Sequence, residues 1–266
     1  MVTDNNRLDL VRRSSRCFAD QTYRNRELIV VNDSDEIYQR QLRKVLEKIP
    51  NVRFVGLKSR KYKLARLRNI AVALSQGDVW VQWDDDDFCL PCRLEEQYRF
   101  LERRSELSGC CLSAQLHYYS NTNELYITDW HQYGSAGVRE YQCIPGTLML
   151  RKSCRWIYDD TSSPIMSCGE DSNLIKRLFL EDSTQIGVMQ NFPALHCYSF
   201  HGHQTYDYEH HRQIDRYRSF NLTDLVNHYS HLKQAIEYYR FPKNIKFFYR
   251  VGHGIEASFK CYNQQE

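Results

Sequence analysis

No stretch of the sequence approaches the roughly 18 consecutive apolar residues that a helix needs to span a bilayer. The polar start of the chain lacks the apolar segment of a secretory signal, which predicts a cytoplasmic protein, at most peripheral to the inner face of a membrane. There is no low-complexity tract, internal repeat or linker. The net charge of +3, 36 basic minus 33 acidic residues, is too small to indicate a nucleic-acid partner. These absences argue against integral membrane, fibrous and disordered proteins.

The composition is typical of a globular protein. A chain of 266 residues, 42% hydrophobic and 26% charged, can bury a core without disulfides or a structural metal. The ten cysteines are scattered and, without a secretory signal, are expected to be mainly thiols in a reducing compartment. Cys89 and Cys92 form a C-x-x-C pair, for which zinc binding or redox chemistry is the alternative to simple packing.

Strands alternate with helices in the first third of the chain. Apolar patterns predict strands at residues 27–31, 52–55 and 79–83. Helices are predicted at residues 8–18, 37–48 and 64–74, the last capped by Gly77. This alternation favours an α/β fold with a mostly parallel sheet, in which ligands bind at the carboxyl ends of the strands. Asp33 and the run Asp84 to Asp87 both follow such ends.

The rest of the chain is less regular. Residues 112–119 and 126–130 are predicted strands of a smaller, antiparallel portion, and residues 146–150 are a further predicted strand. Residues 172–180 and 222–239 are predicted helices. Residues 243–260 are basic and aromatic, typical of a packed strand pair; the alternative is a weak contact with a membrane surface. We expect one domain over residues 1–206 and a helical, aromatic extension over residues 207–266, packed on it.

Four consecutive aspartates are the sharpest chemical feature of the sequence. An acidic run is most often a solvated turn, but this one directly follows a strongly apolar strand. Carboxylates held together at a partly buried sheet edge need a cation or hydrogen bonds to balance their repulsion. Oxygen ligands of this kind suit Mg²⁺ or Mn²⁺.

Four segments, in order, resemble the motifs of glycosyltransferase family 2, whose members have the GT-A fold. Residues 18–34 (FADQTYRNRELIVVNDS) resemble the family's "QTY…ELIVVDDGS" opening, and residues 65–69 (ARLRN) resemble its "ARN" helix. Residues 83–87 (WDDDD), with Pro91 and residues 93–94 (RL) behind them, resemble its "DxDD…P.RL" metal motif. Residues 169–171 (GED) resemble its "ED" motif. The likeness spans roughly residues 1 to 180.

The resemblance implies a GT-A fold, a Rossmann-like, mostly parallel sheet flanked by helices with a smaller antiparallel acceptor-side portion. It implies an inverting hexosyl- or N-acetylhexosaminyltransferase that uses a nucleotide-diphosphate sugar, with a UDP-sugar preferred. The acceptor would be a hydroxyl of a polysaccharide, glycolipid or glycoprotein glycan. The Gln-x-x-Arg-Trp element of processive synthases is absent, which favours the transfer of single sugars.

The resemblance also assigns roles to individual residues. Asp171 matches the catalytic base and Glu170 its neighbour, although acids there also cap a helix N-terminus. Asp86 and Asp84 match the acids that bind Mn²⁺ or Mg²⁺, and His201, more than His203, could contact the metal or diphosphate from the other side. The matching nucleotide-binding positions are Thr3, Asn5, Arg7, Asp33, Arg68, Asp84 and Asp85.

The start of the chain departs from the family pattern. Only residues 1–3 precede the match to the family's "YNR", so the first strand is expected to be truncated, and Asn5 stands where an aromatic residue is common. Two alternatives stay open. One is metal-dependent nucleotidyl or phosphoryl transfer, since clustered aspartates also suit two-metal chemistry. The other is a non-catalytic relative that binds a nucleotide sugar.

Overall fold

The computed structural model describes residues 1–58, 62–132, 142–161, 169–181, 185–190, 193–202, 204, 206–252 and 255–260. Within them the chain divides into two compact units, residues 1–111 with 145–189 and residues 112–144 with 190–266. The predicted boundary at residue 206 falls inside the second unit and stays a prediction.

In chain order the elements are α1 (Leu8–Ala19), β1 (Leu28–Asn32), α2 (Glu36–Leu46), β2 (Val52–Gly56), α3 (Leu64–Leu74), β3 (Val79–Val81), β4 (Phe88–Cys89), α4 (Arg93–Glu102), β5 (Gly109–Leu112), β6 (Ala114–Tyr119), β7 (Glu124–Asp129), β8 (Met149–Arg151), α5 (Glu170–Leu180), β9 (Ile186–Met189), β10 (His196–Phe200), α6 (Tyr208–Arg218), α7 (Leu222–Asn227), α8 (Tyr229–Tyr239), β11 (Lys246–Val251) and β12 (Ile255–Lys260).

The first unit opens with parallel strands flanked by helices, as the alternation of elements predicted. All five residues of β1 are buried, and β1 pairs in parallel with β2. Ile29 and Val31 of β1 pack against Leu67 of α3. Residues 1–3 lie along the other side of β1, where Val2 bridges Val31 in parallel. The buried strand therefore ends at Asn32 and delivers Asp33 to the edge of the sheet, as expected for a ligand-binding α/β fold.

The predicted glycine cap of α3 is wrong. The helix ends at Leu74, and its cap is Ser75, which leaves in an extended conformation with φ −72° and ψ 149°. The Ser75 hydroxyl donates to the carbonyl of Val72 at 2.7 Å. No left-handed residue is needed at this exit, so Gly77 has no capping role.

A second sheet of the first unit carries the acidic run. Its four strands have the order β3-β8-β5-β9, with β3 and β5 both antiparallel to β8. The predicted strand at residues 146–150 starts later than expected, because Pro145–Thr147 forms a 3-10 turn. This turn lies beside the residues that follow β3.

The second unit contains a mixed sheet with the order β12-β11-β7-β6-β10. β6 and β7 are antiparallel, as predicted, whereas β10 joins β6 and β11 joins β7 in parallel. β11 and β12 form the antiparallel strand pair expected in residues 243–260. The continuous helix predicted at residues 222–239 is wrong, because α7 ends at Asn227 and His228, with φ −101° and ψ 3°, separates it from α8.

The core of the second unit holds a polar cluster among aromatic rings. His117 and Asp215 are buried, with Nδ1 of the histidine 2.7 Å from Oδ1 of the carboxylate, and the Tyr119 hydroxyl donates to the other oxygen. His211 stacks on Tyr198, whose hydroxyl lies 3.3 Å from its Nε2. Burial, His117 and His210 lower the pKa of His211 to about 3.

No helix within the described ranges combines the length and the hydropathy that crossing a membrane requires.

Candidate active site

The four aspartates leave β3 in a fixed conformation. The Trp83 indole donates to the Ser14 hydroxyl at 2.9 Å, and that hydroxyl donates to the backbone carbonyl of Asp84 at 2.7 Å. Asp85 and Asp87 are 4% exposed, whereas Asp84 and Asp86 are only partly buried. Because α1 holds the backbone at Asp84 and two of the four side chains are buried, the run is not a loose solvated turn.

Arg7 lies over two of the aspartates. Its Nη2 is 2.9 Å from Oδ1 of Asp85 and also donates to Oδ2 of Asp86. Burial alone would lower the pKa of Arg7, but Asp85 and Asp86 raise it above its ordinary value. Arg13, from α1, donates to the backbone carbonyl of Asp86. The guanidinium of Arg7 thus neutralises part of the charge of the run.

Arg68 connects the acidic run to the start of α5. Its Nη2 is 3.0 Å from Oδ1 of Asp84, and its Nε is 3.2 Å from Oε1 of Glu170. The Arg68 side chain is 13% exposed. Burial acts to lower its pKa, but Asp84, Tyr158 and Glu170 raise it well above the ordinary value. This single guanidinium therefore holds together acids from two separate motifs.

The start of α5 positions the predicted base. Gly169 caps the helix with φ +80°, a left-handed conformation that favours glycine. Oδ1 of Asp171 accepts a hydrogen bond from the backbone N–H of Ser172 at 2.7 Å. Its Oδ2 accepts from Nε2 of Gln82 at 3.4 Å, and the same nitrogen donates to Oδ2 of Asp84 at 3.0 Å. The helix-start and active-site interpretations of residues 170–171 are therefore compatible.

Two buried carboxyls of the cluster have strongly raised pKa values. Burial, and then the charge of Asp86, raise the pKa of Asp85 to about 7. Burial raises the pKa of Glu170 to about 7 as well; Arg68 acts to lower it and Asp171 to raise it. Buried carboxyls that titrate near neutral pH are typical of functional sites, although ion-pair networks produce them too.

The donor chemistry of the run fits a divalent cation. Oδ2 of Asp85 is buried and has no hydrogen-bond partner in the part of the chain that the structure describes. Gly146 faces Oδ2 of Asp84, and a Cβ at that glycine would lie only 3.2 Å from this oxygen. Among the described residues, however, no three His, Cys, Asp or Glu side chains are gathered as a metal site. A metal bound by Asp84 and Asp86 therefore stays a prediction.

The other residues that the family resemblance singled out have varied surroundings. Thr3 is buried, and its hydroxyl donates to the backbone carbonyl of Asp4 at 3.5 Å. Oδ2 of Asp33 accepts from the backbone N–H of Tyr62 at 3.3 Å, and Asn5 is exposed. His201 lies in the second unit directly after β10, and His203 lies outside the described residues.

The structure adds three residues that the sequence did not single out. Gln82 contacts both Asp84 and Asp171, and the Tyr158 hydroxyl donates to Oε1 of Gln82 at 2.9 Å. The side chain of Asn69 accepts a hydrogen bond from the backbone N–H of Tyr158 and donates one to the backbone carbonyl of Tyr158. Asn69 lies in the "ARN"-like segment, which is the only signal in the sequence that could have found any of them.

The cysteines only partly match expectation. Cys89 and Cys92 are free, burial raises the pKa of the Cys89 thiol to about 12, and neither cysteine belongs to a group of three possible metal ligands among the described residues. Nη1 of Arg93 donates to it at 2.9 Å. Cys111 and Cys143 are disulfide-bonded and are exceptions among cysteines that were expected to be mainly thiols.

Solved structures share this fold. S. aureus TarS 1-349 in complex with UDP is 14% identical with a TM-score of 0.58, over 81% of this chain and 68% of that one. The same protein in complex with UDP-GlcNAc has a TM-score of 0.59 at 14% identity, over 80% of this chain and 64% of that one. The mannosyltransferase PcManGT from Pyrobaculum calidifontis, in complex with GDP-Man and Mn²⁺, has a TM-score of 0.55 at 15% identity, over 88% of this chain and 62% of that one.

These likenesses define the fold as that of the GT-A glycosyltransferases. The chain spans as little as 59% of the length of TarS 1-349. No curated protein matches the chain in sequence. The model of glycosyl transferase family 2 matches residues 2–160, and the chain belongs to this family.

Proposed function

We propose that the protein is a nucleotide-sugar-dependent glycosyltransferase that moves one sugar to an acceptor hydroxyl with inversion at the anomeric carbon. The strongest support is that two side chains each contact both acidic segments, the "DxDD"-like run after β3 and the "ED"-like pair at the start of α5. Arg68 bridges Asp84 to Glu170, and the amide of Gln82 bridges Asp84 to Asp171. The acids of the "DxDD" and "ED" motifs therefore form one cluster in the first unit.

In this proposal Asp171 is the general base. It accepts the proton of the acceptor hydroxyl while the hydroxyl oxygen forms a bond to the anomeric carbon. The bond from that carbon to the diphosphate oxygen breaks, and its electron pair leaves with the nucleoside diphosphate. Attack opposite the leaving group inverts the anomeric centre. Asp171 can later release its proton to water because its residue is partly exposed.

The acidic run would hold a divalent cation, Mn²⁺ or Mg²⁺, through Asp86 and Asp84. When bound, such an ion supplies positive charge against the leaving diphosphate. The unpartnered Oδ2 of Asp85 and the presence of Mn²⁺ with GDP-Man in PcManGT support this assignment. Arg7 and Arg68, already among the carboxylates, are the cations of this chain that would meet the phosphates.

The finer assignments belong to the same proposal. A UDP-sugar of the hexose or N-acetylhexosamine class is the preferred donor, since TarS is solved with UDP and with UDP-GlcNAc. Thr3, Asn5, Asp33 and Asp85 would bind the nucleotide, and His201 would assist at the metal or diphosphate. The acceptor would be a polysaccharide, lipid-linked or protein glycan at the cytoplasmic side. Family membership disfavours the phosphoryl-transfer alternative.

Release of nucleoside diphosphate from UDP-GlcNAc and GDP-Man, with Mn²⁺ or with EDTA, tests the proposal. We expect release only with Mn²⁺, and a fall of about 10²–10⁴-fold in the rate of release for Asp171→Asn, in which no carboxylate accepts the proton of the attacking hydroxyl or water. Asp160→Asn is the matched control, because Asp160 lies in the same unit and pairs only with Arg66 in the described contacts, at 3.0 Å. Release that persists in EDTA, or that is as fast in Asp171→Asn as in the wild type, contradicts the mechanism.

A further inference from the structure

Gln82 is held rigidly at the end of β3. Its side chain is buried and the residue is 5% exposed. Its backbone N–H donates to the carbonyl of Leu148 at 2.9 Å, and its own carbonyl accepts from Nη2 of Arg93 at 3.1 Å. Both sides of the peptide are therefore fixed, and the side chain leaves from a defined point toward the acidic cluster.

The Gln82 amide makes three hydrogen bonds with complementary polarity. Its Nε2 donates to Oδ2 of Asp84 at 3.0 Å and to Oδ2 of Asp171 at 3.4 Å. Its Oε1 accepts from the hydroxyl of Tyr158 at 2.9 Å. An amide has two N–H donors on nitrogen and only acceptors on oxygen. Rotation of the amide by 180° would point the oxygen at two carboxylates, so a single orientation is favoured.

Tyr158 is itself anchored. The residue is 2% exposed, and Asn69 holds both ends of its backbone, accepting from its N–H at 2.9 Å and donating to its carbonyl at 2.8 Å. Its ring lies under Arg68, whose guanidinium carbon is 5.3 Å from the ring centre. The tyrosine hydroxyl is thus a fixed donor that selects the orientation of the Gln82 amide.

We propose that Gln82 is a positioning residue that holds the carboxylates of Asp84 and Asp171 on the two hydrogens of one amide, and that Tyr158 sets the orientation of that amide. The inference rests on the proposed function, in which Asp171 is the base and Asp84 belongs to the metal motif. An alanine at position 82 frees one oxygen of each carboxylate. A glutamate there adds a third negative charge and cannot donate to either.

The catalytic consequence follows from the geometry of proton transfer. A general base must lie within hydrogen-bond reach of its proton, and misplacement by about 1 Å costs on the order of 10²-fold in rate. Loss of the Gln82 amide removes a restraint on the Asp171 carboxylate but leaves the carboxylate in place. We therefore expect kcat to fall more than the affinity for the nucleotide-sugar donor.

Gln82→Ala, Gln82→Glu and Tyr158→Phe test the inference in two ways. Crystal structures of the wild type and Gln82→Ala show whether the Asp171 carboxylate moves. Nucleotide release from UDP-GlcNAc or GDP-Man with Mn²⁺ gives kcat and KM. We expect the carboxylate to turn by about 1 Å or more, kcat to fall about 10–100-fold with KM within about threefold, and Tyr158→Phe to show a smaller loss of kcat.

Gln97→Ala is the matched control. Gln97 is also a buried glutamine of the first unit, whose Nε2 donates to the carbonyl of Thr147 at 2.8 Å and whose Oε1 accepts from Arg93 at 3.1 Å. Equal losses of kcat in Gln97→Ala and Gln82→Ala, or an unmoved Asp171, overturn the inference. Gln82→Met replaces the alanine variant if that protein does not fold. An inactive wild type refutes the proposed function, whereas the crystal comparison still decides the role of Gln82.

Discussion

Replacing Arg68 by methionine removes the cation that joins the two acidic motifs. The Arg68 side chain is 13% exposed and lies 3.0 Å from Asp84 and 3.2 Å from Glu170. Breaking a buried ion pair by removing one partner costs about 3–5 kcal/mol. Because the Asp84 side chain is 25% exposed and can turn toward water, we expect a loss near the lower end, about 3 kcal/mol at pH 8.

The loss should shrink as the pH falls. Burial already raises the pKa of Glu170 from 4.5 to about 7, and Arg68 is the group that most opposes this rise. Without Arg68 the pKa rises further. A carboxyl whose pKa is higher in the folded than in the unfolded protein destabilises the fold as the pH rises through that pKa. The stability that Arg68→Met loses is therefore greatest at high pH. Because wild-type Glu170 already titrates near 7, the further rise in its pKa adds at most about 1.4 kcal/mol to the loss at pH 8, and almost nothing at pH 5, where the carboxyl is protonated in both folded proteins.

Urea unfolding at pH 8 and pH 5 measures both effects, with the buried Trp80 and Trp83 as fluorescence probes. Arg66→Met is the control, since Arg66 lies on the same helix with a 57% exposed side chain and one ion pair, to Asp160. Its loss should stay within about 1 kcal/mol at both pH values. If Arg68→Met costs no more than Arg66→Met, or costs the same at pH 5 and pH 8, the electrostatic reasoning is refuted.

Two further changes test other parts of the molecule. His211 has a pKa of about 3 in the folded protein, so the unfolded chain binds its proton first and stability falls as the pH drops from 7 toward 4. His211→Phe should reduce the stability difference between pH 7 and pH 5 by about 2 kcal/mol in urea titrations, and an unchanged difference contradicts the assigned pKa. Gly146→Ala places a Cβ 3.2 Å from Oδ2 of Asp84 and 3.8 Å from Nε2 of Gln82. Calorimetric affinity for UDP with Mn²⁺ should fall several-fold while the melting temperature changes little, and equal affinity would show that Asp84 does not contact the bound complex.

Much of the first unit could be predicted from local patterns. The apolar run that forms β1, the helical spacing of α3 and the acidic residues after β3 lie close to their predicted positions. These features depend on side-chain periodicity and turn chemistry, which neighbouring residues determine. The family resemblance followed from the same segments, because their order along the chain is itself a sequence property.

Other features could not be predicted, since they depend on residues far apart in the chain. The helix is broken by the backbone conformation of His228, and the mixed sheet of the second unit depends on pairings between strands far apart in the chain.

The sequence by itself determined the family, the fold class and the identity of the acids that carry the proposed chemistry. Tertiary structure decided how those charges are balanced, with Arg7 on Asp85 and Asp86, Arg68 between Asp84 and Glu170, and Gln82 among them. The reason is physical: a motif specifies which groups can ionise, but their interactions depend on distance and burial, and both arise only when separate strands and helices pack together.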